Sequence, residues 1–531
     1  MKPLIHRAVA GASAPAPRRG ADFRRRQTWL GPVLVVVLAF VLRAAYYDAG
    51  YGHPDETITV EVVGQMRRSG DWDTNWAKAP ALEPALRYDQ YNFSSYLYST
   101  FFFYRAVKWA PGLEAWRSRD QGFWVYRFFS VLLATAAVAQ AWWLARRLSD
   151  ARTALAAASL VAVLPLLVQD AHYARPEAFV TLLTLVAVTL SLPAGRASEV
   201  WRTLGAAVVV GLLVACKFSL LALAWLPLAA VVADPARRTA VRLAVGVGVT
   251  VAGIGLGFAL GAPGAVAHPA VFWHGVTFLT THYAGLHPPH SHVDGGPVAG
   301  MLGGYFLSTL GIGFLTALGV GVARWAWARR WTELALIAGP VALFAAYFAT
   351  RTVFFERNLS HVAPLACVLA AVGIAGAGER LARMTGMRAA VVVAALLAAV
   401  LWRPTELTSR LVLTVFSGRG GELRAAREES IRAEHPGLAW REDALLNTAP
   451  LSQLAEHFAG GGAPLVVRVI DYNDEWSARY GPMLPAEFDA KLLATDASVF
   501  ADVSGCTLHT YGSWTDRIYL VRGPRRAAAG R

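Results

Sequence analysis

The chain has 531 residues, of which 55% are hydrophobic and only 16% are charged. A soluble protein carries about a quarter charged residues, so this composition excludes an ordinary soluble globular protein. The formal net charge is +14, but the arginines fall in short clusters between apolar runs rather than in one basic domain. That pattern sets the orientation of a membrane protein and argues against a nucleic-acid partner.

The N-terminal part predicts a tail, a membrane span and a loop, in that order. Residues 1–28 are basic and rich in proline and alanine, which predicts a disordered cytoplasmic tail. Arg24–Arg26 precede an apolar run from Trp29 to about Tyr47, so the N-terminus is expected in the cytoplasm. An external loop follows at 48–120, in which residues 58–66 have the apolar spacing of a helix lying in the membrane interface.

Further apolar runs, each long enough to cross a bilayer, alternate with arginine clusters. This alternation predicts about eleven transmembrane helices over 29–403, provided that the run 204–233 is split into two short spans at Lys217. A second external loop is predicted at 262–297. Residues 404–531 have soluble composition with helix-like and strand-like runs, which predicts a small C-terminal extracytoplasmic α/β domain. The fold class is thus an all-α polytopic membrane protein with that domain attached.

The stretch His53–Glu56 places two carboxylates where the first span meets water. Ionised groups at such a depth are expensive and usually functional. The alternative is structural, because a proline at the first position of a helix and acidic residues in its first turn are both favourable. The local sequence does not separate these two interpretations.

Other charged residues are predicted on the same, outer side of the membrane: Asp170, His172, Arg175, Glu177, Lys217, Glu356 and Arg357. Carboxylates can act as general bases and cations can bind phosphate, so one cavity could use them all. Lys217 is notable because the chain has only five lysines and this one interrupts an apolar run. It either binds phosphate or extends its ammonium group to the interface.

Several short motifs together resemble the GT-C glycosyltransferases. Asp55-Glu56, followed by a helix ending at Gly70–Trp72, resembles their first external loop, and most closely that of family 39. That family holds the protein O-mannosyltransferases and the lipid A aminoarabinose transferases. Arg175–Glu177, Gly211–Phe218 and Arg357–Pro364 resemble three further elements of the family, with Glu177 where an aspartate is usual.

The resemblance implies an inverting transfer of a hexose or pentose from a polyprenyl-phosphate donor to a lipid, glycan or protein acceptor. It implies catalytic roles for Asp55 and Glu56, with Asp55 as the general base or as the group that positions the acceptor hydroxyl. Which of the two carboxylates takes the proton stays open at this point. Substrate binding is implied for His53, His172, Arg175, Glu177, Lys217 and Arg357, of which Lys217 and Arg357 would hold the donor phosphate. The active site would face the periplasm or exterior of a bacterial cytoplasmic membrane.

The external loop at 262–297 contains His282, His287, His290, His292 and Asp294. Imidazole and carboxylate groups suit a divalent metal, but the spacing matches no structural zinc pattern. The loop could bind a metal, cover the substrate cavity as a lid, or be inert. No cofactor is firmly implied.

Two other classes of function remain open from the sequence. Secondary transporters also carry charges within the membrane, but they often have internal repeats and sites near the midplane. Here the charges gather at one face and no repeat is evident. The chain could also be a non-catalytic membrane partner of an enzyme.

Overall fold

The structure is a computed structural model. It describes residues 21–48, 53, 55–84, 86–110, 112–114, 123–193, 199–232, 239–287, 290–441, 449–472, 484, 487–496 and 514–525. Pro54, Cys506 and residues 1–20 of the predicted tail lie outside them.

Helices dominate the described residues up to residue 434. They are α1 (Ala21–Ala44), α2 (Glu56–Ser69), α3 (Ser94–Lys108), α4 (Phe123–Leu148), α5 (Ala151–Ala162), α6 (Pro165–Ala171), α7 (Glu177–Ser191), α8 (Glu199–Cys216), α9 (Ala229–Val232), α10 (Ala240–Gly261), α11 (Pro263–Ala267), α12 (Pro269–His282), α13 (Ala299–Trp327), α14 (Trp331–Ala349), α15 (Ala363–Thr385), α16 (Ala389–Arg410) and α17 (Arg419–Glu434). Short 3-10 turns cover Trp76–Lys78, Phe218–Leu223, Leu226–Leu228 and Glu356–Leu359.

The chain is a multi-pass membrane protein. Among the described helices, six are long and apolar enough to cross a membrane, and α5 with α6 makes a seventh if that bent pair is one span. Four shorter apolar helices accompany them, including the described apolar part of α1, α7 and most of α8. The total of about eleven spans stays a prediction.

Three features of the structure differ from the predicted organisation. Helix α1 begins at Ala21, within the predicted disordered tail. The predicted loop at 262–297 contains α11 and α12. Helix α16 and a π-helical turn continue to Phe416, through the predicted domain boundary at residue 404. Pro404 does not end this helix; proline removes only one backbone donor, and neighbouring helices can absorb the resulting kink.

The third predicted span is broken, and buried side chains satisfy the break. Helices α5 and α6 meet at 59°, with a proline opening α6. Arg43 donates to the carbonyl oxygens of Ala162 at 2.9 Å and Val161 at 3.0 Å, and the Thr408 hydroxyl donates to that of Val163 at 2.7 Å. Broken helices persist in a membrane only where the freed backbone groups find such partners. Arg43 is fully buried, so the break is stabilised by specific contacts and sets the direction of α6.

Helix α2 confirms the predicted amphipathic pattern. Ile58, Val62, Val63 and Met66 are all buried on one face. The helix ends at Gly70, whose φ of 71° is the left-handed conformation that glycine adopts without a Cβ penalty. Burial of one face fixes the start of α2, and hence Asp55, against the helical bundle.

Helix α8 ends where an isolated charge interrupts the apolar run. It packs closely on α10 because Gly211 and Gly257 face each other, and a Cβ on either glycine would collide with a backbone oxygen of the opposite helix. After Cys216 the backbone of Lys217 is extended, with φ −140° and ψ 115°. The Cys216 carbonyl accepts from the Phe93 N–H at 2.8 Å. The predicted break at Lys217 is therefore present and is docked on the first loop.

A four-stranded sheet follows α17. Its strands are β1 (Ala439–Arg441), β2 (Leu465–Tyr472), β3 (Phe488–Asp496) and β4 (Trp514–Pro524), and α18 (Ala449–Ala459) lies between β1 and β2 in sequence. The strand order is β1-β2-β4-β3, with β1 parallel to β2 and the other pairs antiparallel. That these residues form a separate external domain stays a prediction.

Candidate active site

Four turns at one end of the helical bundle bring the charged residues together. His53 and Asp55 precede α2, Asp170 and Arg175 flank the turn after α6, Glu177 begins α7, and Lys217 and Arg357 lie at the α8 break and on the turn before α15. Ion pairs join these segments directly. The structure therefore brings these charged residues together in one cluster.

Asp55 is the accessible carboxylate of the cluster. Its Oδ2 lies 3.2 Å from Nη2 of Arg357, and its side chain is 28% exposed. Within the described residues its carboxylate caps no backbone N–H of α2, so a capping hydrogen bond does not explain this side chain. The carboxylate points towards Arg357 and remains open on one side.

His53 lies beside Asp55 as a neutral ring. Nδ1 of His53 is 3.8 Å from the Asp55 carboxylate, yet this nitrogen accepts a hydrogen bond from the Asp55 backbone N–H at 3.1 Å. Burial and the positive charge of Arg175 hold the pKa of His53 well below its usual value. The contact is thus a turn hydrogen bond rather than an ion pair, and His53 positions Asp55.

The pKa of Asp55 lies well below its usual range. Burial opposes ionisation of this carboxyl, but the charge of Arg357 and the further charge of Arg175 and Lys217 outweigh burial. Asp55 is therefore ionised, as a general base must be before it takes a proton.

Glu56, the second predicted catalytic carboxylate, is saturated with hydrogen bonds. It is 2% exposed and accepts from Nε and Nη2 of Arg127 at 2.9 and 2.8 Å, from the Ala174 N–H at 2.6 Å and from the His53 N–H at 2.8 Å. Two carboxylate oxygens have about four lone-pair sites, and all are taken. Glu56 binds three chain segments together and presents no lone pair to a substrate.

A buried relay of charges runs from the turn before α15 to the break after α8. The Ser360 hydroxyl donates to Asp170 at 2.5 Å, and Asp170 pairs with Arg175 at 3.0 Å. Arg175 lies 3.3 Å from Glu177, which pairs with Lys217 at 2.8 Å. Within this relay Lys217 is the most exposed residue, with 19% exposure against 1–2% for the ion-paired residues Asp170, Arg175 and Glu177.

Arg175 and Glu177 therefore support the site rather than line it, which corrects their predicted role as substrate ligands. Nη1 of Arg175 has no hydrogen-bond partner among the described residues. Two carboxylates nevertheless balance its charge, because Asp170 and Glu177 both contact its guanidinium group. The accessible cations are Lys217 and Arg357.

His172, also predicted to bind substrate, faces the protein. Its two ring nitrogens lie 2.8 Å from the Val168 carbonyl oxygen and 2.9 Å from the Ala45 carbonyl oxygen. Its ring stacks on Phe416 with centroids 3.8 Å apart. With both nitrogens and one ring face occupied, His172 fastens α1 and the π-helical turn to the site.

The histidine-rich loop packs on the segment that carries Arg357. The guanidinium carbon of Arg357 lies 4.3 Å from the Phe355 ring centroid, and the His290 ring lies 4.7 Å from the same ring. The His290 carbonyl accepts from the Phe354 N–H at 2.7 Å. Tyr283 and Asn358 are hydrogen bonded through their side chains at 3.1–3.2 Å.

No group of three or more histidine, cysteine, aspartate or glutamate side chains in the described part of the chain could hold a metal ion. The described residues of the loop therefore lie over the Arg357 turn without forming such a group.

Sequence reasoning missed Arg127 and Ser360. Arg127 lies within the second predicted span, where a lone arginine is expensive and signals a buried partner. Its guanidinium also lies 4.3 Å from the Phe123 ring centroid. Ser360 gave no such signal, since a serine hydroxyl beside a membrane span is common.

A family model and several solved structures are similar to this chain. Residues 119–260 match the family model described as dolichyl-phosphate-mannose-protein mannosyltransferase. The fold is similar to that of ArnT from Cupriavidus metallidurans bound to undecaprenyl phosphate, at 15% identity and a TM-score of 0.50, covering 93% of this chain and 98% of ArnT. No curated protein sequence matches the chain.

A second solved structure matches less of its own length. It is the archaeal oligosaccharyltransferase AglB from Archaeoglobus fulgidus, in complex with an inhibitory peptide and a dolichol-phosphate. The identity is 13% and the TM-score 0.47, and the match covers 73% of this chain and 56% of AglB. The chain thus spans little more than half the length of that protein.

The family match and the ArnT-like fold confirm the resemblance to the family-39-like GT-C glycosyltransferases predicted from the sequence.

Proposed function

We propose that the protein transfers a sugar from a polyprenyl-phosphate donor to a hydroxyl acceptor, with inversion at the anomeric carbon. The observation that carries this proposal is the trio of accessible charges at one end of the bundle: the Asp55 carboxylate and the Lys217 and Arg357 cations. A base and a phosphate-binding pair are the groups that such a transfer requires.

Asp55 takes the proton of the acceptor hydroxyl while the hydroxyl oxygen attacks the anomeric carbon. The bond from that carbon to the phosphate oxygen breaks on the opposite face, and negative charge grows on the leaving phosphate. Lys217 and Arg357 stabilise that charge, and such stabilisation is strongest where water is excluded. No step needs a metal ion.

An apolar pocket lies next to the turn that carries Arg357. It lies between the α5–α6 break, the middle of α13, α14 and the turn that carries Arg357, and its lining includes Leu164, Phe306, Phe314 and Leu359. Gly311, with φ 78°, breaks α13 beside this pocket. The apolar lining is compatible with a segment of the hydrocarbon chain of a lipid-linked donor.

The site faces the periplasm or exterior of the cytoplasmic membrane. Arginine clusters mark the opposite ends of the spans and place the N-terminus in the cytoplasm. The acceptor is a lipid, glycan or protein hydroxyl that reaches this outer face.

The proposal is tested by adding the purified protein to membranes from cells that lack the gene, which supply both donor and acceptor. Mass spectrometry then follows the polyprenyl-phosphate sugars and the free polyprenyl phosphate. We expect one lipid-linked sugar to fall and free polyprenyl phosphate to rise with the wild-type protein but not with Asp55→Asn. Equal turnover by this variant would exclude Asp55 as the base.

A further inference from the structure

The general base and one of the two accessible cations are paired with each other. The contact joins Oδ2 of Asp55 to Nη2 of Arg357 at 3.2 Å, and both side chains are about one quarter exposed, at 28% and 23%. A carboxylate held in this way is a weak base, and the guanidinium that holds it is the group that the donor phosphate needs.

We infer that Arg357 couples the two substrates: the donor phosphate draws its guanidinium from Asp55 and thereby frees the base for the acceptor. This inference rests on the proposed function. Phosphate and carboxylate compete for the same planar guanidinium donors. Donor binding therefore raises the basicity of Asp55, and an acceptor hydroxyl meets an active base only when a donor is present.

The other charged groups around Asp55 leave Arg357 as its principal partner. His53 is neutral and accepts from the Asp55 backbone N–H. Arg175 contacts two carboxylates, and Lys217 is bonded to Glu177. Freeing the Asp55 carboxylate thus depends on moving one guanidinium group, not on rearranging the buried relay.

Neighbouring side chains hold the Arg357 turn in place. Phe355 lies under the guanidinium group, and Asn358 is bonded to Tyr283 on the neighbouring loop. With the backbone fixed on both sides, the inferred exchange of partners falls to the side chain of Arg357.

The transfer then restores the starting state. Asp55 gains the acceptor proton, the new carbon–oxygen bond forms, and the polyprenyl phosphate leaves with the electron pair of the broken bond. After the phosphate dissociates and Asp55 loses its proton to water, Arg357 pairs with the carboxylate again.

The coupling makes an unusual prediction for donor binding, because linkage is reciprocal. Removing the Asp55 charge frees Arg357, so Asp55→Asn should bind polyprenyl phosphate more tightly than the wild type does. We expect the affinity to rise about fivefold to tenfold, the lower range of typical coupling between sites. Arg357→Gln should bind it more weakly.

The test measures the affinity for polyprenyl phosphate of the wild type, Asp55→Asn, Arg357→Gln and the double variant, by quenching of intrinsic tryptophan fluorescence in detergent. A double-mutant cycle separates direct pairing from general charge. If Arg357 mediates the effect, Asp55→Asn should change affinity less than about twofold in the Arg357→Gln background. Glu406→Gln, which removes a partly exposed carboxylate paired with Arg403 and Arg410, is the charge-matched control and should leave the affinity unchanged.

Equal affinity of the wild type and Asp55→Asn would overturn the coupling, and so would the same tightening in both backgrounds. Asp55→Ser provides the same comparison if the asparagine variant does not fold. Failure of the folded wild type to bind polyprenyl phosphate would overturn the coupling together with the proposed donor. Binding with no response to Asp55 substitution would overturn the coupling alone.

Discussion

Substitution of Glu56 by glutamine should lower the stability of the folded protein, whereas substitution of Asp55 by asparagine should not. Glu56 and Arg127 are each 2–3% exposed and share two hydrogen bonds. Removing one partner of such a buried pair costs about 3–5 kcal/mol, because the other charge is left buried without compensation. The Asp55–Arg357 pair is partly exposed, and pairs of that kind contribute about 0–1 kcal/mol.

The assay is thermal melting of the purified variants in detergent, followed by the loss of monodisperse protein on size exclusion. We expect Glu56→Gln to melt several degrees below the wild type and Asp55→Asn to melt close to it. Replacing both members, as in Glu56→Gln with Arg127→Met, should recover part of the loss since no buried charge is then left unpaired. Wild-type melting of Glu56→Gln would refute a structural role for this carboxylate.

Three further predictions concern the break in the third span, the donor site and the loop over it. Arg43→Leu should lower the melting temperature by more than Thr408→Val does. About 1 kcal/mol is lost per hydrogen bond, and Arg43 makes more hydrogen bonds to the broken span than Thr408 does. Equal melting temperatures of the two variants would contradict this account of the break. Lys217→Gln should weaken polyprenyl phosphate binding about tenfold or more, as expected for a charge-assisted hydrogen bond of about 1.5–3 kcal/mol, with Lys217→Arg retaining part of the affinity; unchanged binding would remove Lys217 from the donor site. Tyr283→Phe removes the hydrogen bond to Asn358 and should raise the KM for the donor a fewfold with little change in kcat. Both constants are measured from initial rates of polyprenyl phosphate release. A loss confined to kcat would argue that Tyr283 does not position the Arg357 turn.

Local sequence patterns predicted the parts of the fold that depend on residues close together in the chain. The 3.6-residue spacing of apolar side chains from Ile58 to Met66 fixed α2, because that face is buried. An isolated lysine in an apolar run marked the break at Lys217, because a charge at that depth needs a special environment. Gathering of the charged turns at one end followed from the alternation of arginine clusters.

The roles of individual charges could not be predicted in the same way. Asp55 and Glu56 are adjacent in sequence, yet one is open and the other is saturated by Arg127 from a different helix. Only tertiary packing decides which of two neighbours turns inwards. The pairing of Arg175 with two carboxylates has the same origin, so a residue predicted as a ligand proves to be a support.

The most direct test of the central claim is release of polyprenyl phosphate by the purified protein in liposomes. The donor lipids and acceptors are extracted from cells that lack the gene, so the measurement requires no knowledge of the sugar. We predict release by the wild type that falls by at least about a hundredfold in Asp55→Asn, as expected for loss of a general base, while this variant still binds polyprenyl phosphate. Release at the wild-type rate by Asp55→Asn, or none by the folded wild type, would contradict the account.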